Sequence, residues 1–184
     1  MDMSKLTQKS QEALQLAQSE AVRRRHTETD GEHLLLALLD QPDGIIPRLL
    51  EQAGADVPGL RAAIAAELDR RPKVTGPGAT PGQVYVTQRL ARLLDTAERE
   101  ANRLKDSYVS VEHLLLALAD EGTRTAAGRR LAEFGLARDE FLSALTAIRG
   151  NQRITSATPE GTYEASRSTA STSSGTPGTA SWTR

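Results

Sequence analysis

The chain has 184 residues, a net charge of -1 from 26% charged residues of both signs, and only 3% aromatic residues. That length holds one ordinary domain plus a tail, the Leu- and Ala-rich composition points to an aliphatic, all-α core, and the balanced charge excludes nucleic acid as a main partner. There is no Cys, no apolar leader after Met1 and no stretch approaching the about 20 apolar residues of a membrane span, so a cytoplasmic protein without disulfides, thiol chemistry or a membrane partner is expected.

Leu6 and Thr7 open the first helix, with Thr7 as N-cap and Ala13, Leu14, Ala17 and Ala21 at helical spacing. The run Arg23-Arg24-Arg25 closes it, where cations suit the negative end of the helix dipole. A short second helix starts near Asp30 and carries Glu32, His33 and the run Leu34 to Leu39, too apolar all round for a surface. Gly44 to Ala53 reads as a third helix stopped by Gly54, and Asp56 with Pro58 opens a fourth that ends near Arg70. Pro72 to Val84 is rich in Pro and Gly and reads as an exposed loop.

The plan then repeats. A shift of 80 positions lays Leu6 to Asp40 over Val86 to Asp120 without a gap, identical at 15 of 35 positions. The second copy predicts helices over Thr87 to Lys105, Ser110 to Ala119, Thr123 to Phe134 and Arg138 to Arg149, with Gly135 and Gly150 as stops. Eight helices result, as two tandem four-helix repeats (6–71 and 86–150, joined by the loop 72–84) that make one domain over 1–150. One repeat alone buries too little apolar surface, so the copies should pack together with pseudo-twofold symmetry.

Catalytic machinery is not expected. The four lysines, Lys5, Lys9, Lys73 and Lys105, never follow a Gly, which excludes the phosphate-cradling G-x-x-x-x-G-K-[ST] loop. No G-x-S-x-G occurs. His33 and His113 fall at equivalent positions of the repeat, but neighbouring Glu and His side chains on a helix diverge, so the rings read as packed or capping groups and no metal or other cofactor is implied.

The paired EHLLLAL motifs, Glu32 to Leu38 and Glu112 to Leu118, each after a helix opened by Thr-Gln, resemble the Clp N-terminal repeat family over about Ser4 to Gly150. Residues 150–165 look like the connector of ClpB-type disaggregases. From Ser166 to Arg184, 11 of 19 residues are Ser or Thr, a disordered composition. One permissible back-translation, shifted by one nucleotide, spells LEKYGLDLVRHARDGKLDP, which resembles the family's continuation toward its first ATPase module. The tail is therefore read as the frameshifted end of such a gene, with a genuine Ser/Thr-rich linker as the alternative.

The resemblance implies a non-enzymatic domain that engages unfolded or aggregated polypeptides or adaptor proteins, here without the ATPase modules and hence monomeric. A stand-alone regulator acting in trans on a Clp chaperone or protease is the alternative. Carried over by motif, the binding residues are Thr7 with Glu32 in the first copy, Thr87 with Glu112 in the second, and Asp106 just before the second EHLLLAL helix. A carboxylate at a helix start can meet a cationic group of a ligand, and a Thr N-cap adds a hydroxyl and main-chain N–H groups; capping and dipole complementation alone would explain the same residues.

Overall fold

A computed structural model describes residues 2–74, 84–150 and 154–158. The tail expected from Ser166 onward and most of the loop 72–84 lie outside these residues. A 3-10 turn at Met3–Lys5 leads into α1 (Gln8–Arg23), a two-residue strand β1 (Glu28–Thr29), α2 (Gly31–Asp40), α3 (Ile46–Gln52) and α4 (Val57–Asp69). The second copy repeats the order as β2 (Tyr85–Val86), α5 (Gln88–Arg103), α6 (Val111–Asp120), α7 (Ala126–Glu133) and α8 (Arg138–Arg149), with a 3-10 turn at Gly122–Arg124 before α7.

The caps follow the residue chemistry. Thr7 accepts the Ser10 N–H, Thr87 the Leu90 N–H and Asp56 the Gly59 N–H at 3.2, 3.0 and 3.1 Å. Gly54, at φ +85°, and Gly135, at φ +75°, end α3 and α7 in the left-handed region that a Cβ disfavours. One expectation needs correction. Thr123 to Phe134 is not one helix, because Gly122–Arg124 makes a separate turn and Thr125 caps α7 through the Gly128 N–H at 3.1 Å. The fold is otherwise all-α as expected, with two residues in each of β1 and β2, which pair in parallel.

These short strands join the two copies. Thr29 pairs with Val86, and Leu6 pairs with Val109 in an isolated parallel bridge. The 80-residue shift turns one pair into the other, so each copy lends the residues before its first helix to those before the other copy's second helix. Helix contacts are reciprocal in the same way: α1 meets α6 as α5 meets α2, and α3 meets α8 as α4 meets α7.

The centre is α2 and α6. Every residue from Gly31 to Leu39 and from Val111 to Ala119 is buried. Ala13, Ala17 and Ala21 of α1, and Leu90, Leu93, Ala97 and Ala101 of α5, cover them with small or aliphatic faces that allow close approach. Each fully buried Leu contributes about 1.5 to 3 kcal/mol, which makes the two central helices the main source of cohesion. No helix among the described residues is long and apolar enough to cross a membrane.

Candidate functional site

Four of the five residues marked by the motif, Thr7, Glu32, Thr87 and Glu112, lie where one copy's first helix meets the other copy's second. The grouping by copy does not survive folding. Thr7 donates its main-chain N–H to the Val109 carbonyl at 3.0 Å, beside the start of α6 and Glu112. Thr87 bonds the Thr29 carbonyl at 3.2 Å through its N–H and Asp30 Oδ1 at 2.9 Å through its hydroxyl, beside the start of α2 and Glu32. The spatial sets are therefore Thr87 with Glu32, and Thr7 with Glu112.

The first set is closed by the chain's own cations. Glu32, 1% exposed, receives Arg89 Nη1 at 2.9 Å and Nη2 at 2.7 Å, the Ala127 N–H at 3.1 Å, and Arg71 Nη2. Arg89 also bonds Glu121 at 2.8 and 2.9 Å, and these carboxylates hold its guanidinium charged more firmly than usual. A bidentate guanidinium between two carboxylates is a strong, directional arrangement. It leaves Glu32 saturated.

The second set is open. Glu112 is fully buried, and neither of its carboxylate oxygens has a partner among the described residues. The repeat explains why. Lys9 stands where Arg89 stands in the other copy, and its ammonium turns away to the Pro42 carbonyl at 3.0 Å. Pro47 replaces Ala127 and has no N–H to give. Gln41 replaces Glu121, spends its amide N–H on the Lys9 carbonyl at 2.8 Å, and leaves its own buried Oε1 without a partner. Three buried oxygens of Glu112 and Gln41 thus lack a donor, an arrangement that costs free energy until a donor arrives.

Asp106 sits in a third environment, 6% exposed. Arg149 grips it at 2.8 and 2.5 Å, His113 Nε2 donates to it at 2.8 Å, and the Ile154 N–H at 2.8 Å. Bonds from His113, Arg149 and Ile154 outweigh burial and bring its pKa down to about 2. His113 Nδ1 accepts the Ser110 N–H at 2.9 Å, so the neutral ring carries its proton on Nε2 and caps α6 while it orients Asp106. In the first copy His33 caps α2 in the same way, accepting the Asp30 N–H at 3.0 Å, and donates to His26 Nδ1 at 2.8 Å, because His26 occupies the position of Asp106. Both histidines therefore act as caps, as their place in the repeat suggested. Ser110, Gln41 and Arg89, which complete these sets, carried no motif of their own; only comparison of the two copies singles them out.

Among the described residues, eight helices form two reciprocal halves with buried polar sets where they cross. The chain belongs to the Clp repeat (R) N-terminal domain family, whose model matches residues 5–134. It is 49% identical over 165 residues to the chaperone protein ClpB of Nitratidesulfovibrio vulgaris and 42% identical over 165 residues to that of Bacillus cereus. Each match covers 90% of this chain and 19% of the relative, so the chain spans about a fifth of the length of these chaperones.

Among solved structures, the Hsp104 N-terminal domain from Candida albicans matches with a TM-score of 0.71 at 21% identity, covering 84% of this chain and 98% of that one. The N-domain of ClpV from Vibrio cholerae gives 0.66 at 25%, covering 83% and 89%. A ClpV N-domain in complex with a VipB peptide gives 0.64 at 27%, covering 83% and 91%.

Proposed function

We propose that this chain is the polypeptide-binding N-terminal domain of a ClpB-type disaggregase, engaging unfolded or aggregated segments or adaptor proteins in the cytoplasm without chemistry of its own. The observation that carries this reading is the likeness to a ClpV N-domain held in complex with a peptide. Family membership and the 49% identity to a ClpB chaperone support the assignment to that branch.

Within the chain, the second polar set is the part suited to a ligand. Its three unpartnered oxygens, Glu112 Oε1 and Oε2 and Gln41 Oε1, would accept a cationic or N–H donor group that entered between α1 and α6. The first set has already spent its oxygens on Arg71 and Arg89. Weak, promiscuous recognition needs few contacts: a micromolar-to-millimolar site requires only about 4 to 8 kcal/mol.

The test is titration of a labelled, permanently unfolded protein, such as a reduced and alkylated lactalbumin, into the chain, followed by fluorescence anisotropy. Saturable binding with a dissociation constant in the micromolar-to-millimolar range, weakened at least fivefold by Glu112→Gln, is expected. No binding by a folded chain up to about 1 mM would sink the reading.

A further inference from the structure

The packed structure does not stop at α8. Gly150, at φ +58°, turns the chain, and residues 154–158 lie back against the second copy. Ile154 is fully buried, yet it lies outside the contiguous hydrophobic cluster that unites most of the core residues. It fills a small seat of its own.

The way this segment is held is that of a captured peptide. The Ile154 N–H donates to Asp106 Oδ1 at 2.8 Å, and its carbonyl accepts the Ser107 N–H at 2.7 Å. Three residues on, the Ala157 carbonyl accepts the N–H of Gln8, the first residue of α1, at 2.8 Å. Thr155, Ser156 and Thr158 are exposed. Among the described residues, the bonds to this segment go to main-chain groups and one aliphatic side chain is fully buried, the combination by which extended peptides are recognised with little regard to sequence.

The first copy shows what the second has gained. Val74 stands 80 positions before Ile154, but it remains 39% exposed and its N–H goes to the Arg25 carbonyl at 2.8 Å. His26 stands there in place of Asp106, so no carboxylate receives the strap's main chain. In the second copy Arg149 and His113 fix the Asp106 carboxylate in position before any N–H reaches it.

We infer that the seat of Ile154 is a peptide-binding site whose resident occupant is the chain's own connector, and that an extended segment of an unfolded protein bearing one compact aliphatic side chain takes its place by displacing residues 154–158. This inference rests on the reading of the chain as a polypeptide-binding domain. The connector acts as a tethered competitor, present at an effective concentration that a free segment has to outcompete. Engagement of a client would then release the connector from the domain.

Two measurements on the full chain decide it. In the first, the amide signals of Ile154 and Ser107 are followed by NMR during titration with reduced, alkylated lactalbumin. At least a tenfold rise in hydrogen exchange at Ile154 is expected on binding. Binding that leaves Ile154 protected overturns the inference while the proposed function stands.

In the second, a fluorescein-labelled peptide with the sequence of residues 152–158 is titrated against the unsubstituted chain and against Ile154→Asp. The variant is expected to bind it at least tenfold more tightly, because its own connector no longer occupies the seat. Ile154→Ala, which retains the main-chain bonds and removes most of the side chain, serves as the milder variant should Asp unfold the domain. A folded variant with no saturable binding overturns the inference, whatever the unfolded protein does; peptide binding without lactalbumin binding upholds it and counts against the proposed function alone.

Discussion

Arg89 clasps the carboxylate of Glu32 at 2.9 and 2.7 Å, and in doing so ties α5 of the second copy to α2 of the first. Glu32 is 1% exposed, so loss of its partner strands a charge in the interior. Arg89→Met is expected to cost about 3 to 5 kcal/mol, whereas the double change Glu32→Leu with Arg89→Met should recover most of that loss, because it removes the buried charge along with its counterion. Urea unfolding of the three proteins checks this. A single variant within about 0.5 kcal/mol of the parent would show that Arg71 alone satisfies Glu32.

Lys9 is the residue that opens the other set. Lys9→Arg recreates the guanidinium of the first copy beside Glu112, so it is expected to raise stability by about 1 to 2 kcal/mol through a charge-assisted bidentate bond. By the proposed function the same change fills the place meant for a ligand. Anisotropy titration should therefore show weaker binding of the unfolded protein together with a higher unfolding midpoint. Tighter binding with Lys9→Arg would remove Glu112 from the site.

The histidines of the first copy give the stability a pH dependence. Burial, with help from Arg71 and His26, lowers the His33 pKa from 6.5 to about 4. The unfolded chain therefore takes up a proton before the folded one does. This contribution is complete above about pH 6.5 and is lost as the pH falls toward 4, a decline of about 3 kcal/mol for a shift of that size. His26, lowered by its own burial, acts in the same direction. Asp106, lowered to about 2, adds a second loss between about pH 4 and pH 2. Urea midpoints from pH 7 to pH 2 should fall in these two stages, and stability that is level between pH 6.5 and pH 4.5 would contradict the assignment of His33.

The sequence made the helices legible because each is written in local terms: Thr7, Thr87 and Asp56 as caps, Gly54 and Gly135 as stops, and the apolar runs of α2 and α6 as a buried centre. Of the residues the motif marked, Thr7, Thr87, Glu32 and Glu112 lie at the crossings of the two copies, and Asp106 lies within the second, bonded to His113 and Arg149. What it concealed was partnership. Thr87 meets Asp30 through a hydroxyl bond across 57 positions, and Arg149 meets Asp106 across 43. The first pairing is set by how one copy docks on the other and the second by how α8 packs against the segment before α6, and a repeat alignment leaves both undetermined. Ile154 was hidden for a related reason: in a polar connector a lone aliphatic residue has no periodicity to betray its burial.

Gly128 marks the clearest departure from the sequence reading, and it reverses the sign of a familiar substitution. In a helix interior Gly→Ala is ordinarily stabilising by about 1 kcal/mol. Here the 3-10 turn at Gly122–Arg124 lies against the first turn of α7, and a Cβ at Gly128 would stand 2.1 Å from the Gly122 carbonyl oxygen and 2.8 Å from the Gly122 nitrogen. Both are main-chain atoms, so no side chain can rotate away. Gly128→Ala is therefore expected to destabilise the domain by about 1 to 3 kcal/mol, with strain focused at the turn. The equivalent position in the first copy is Arg48, and it has no such turn to meet, since the chain enters α3 directly at Ile46. Thermal melts of Gly128→Ala and the parent chain check the expected loss. A stabilising Gly128→Ala would mean that the turn yields easily and that Thr123 to Phe134 can join into the single helix its sequence suggests.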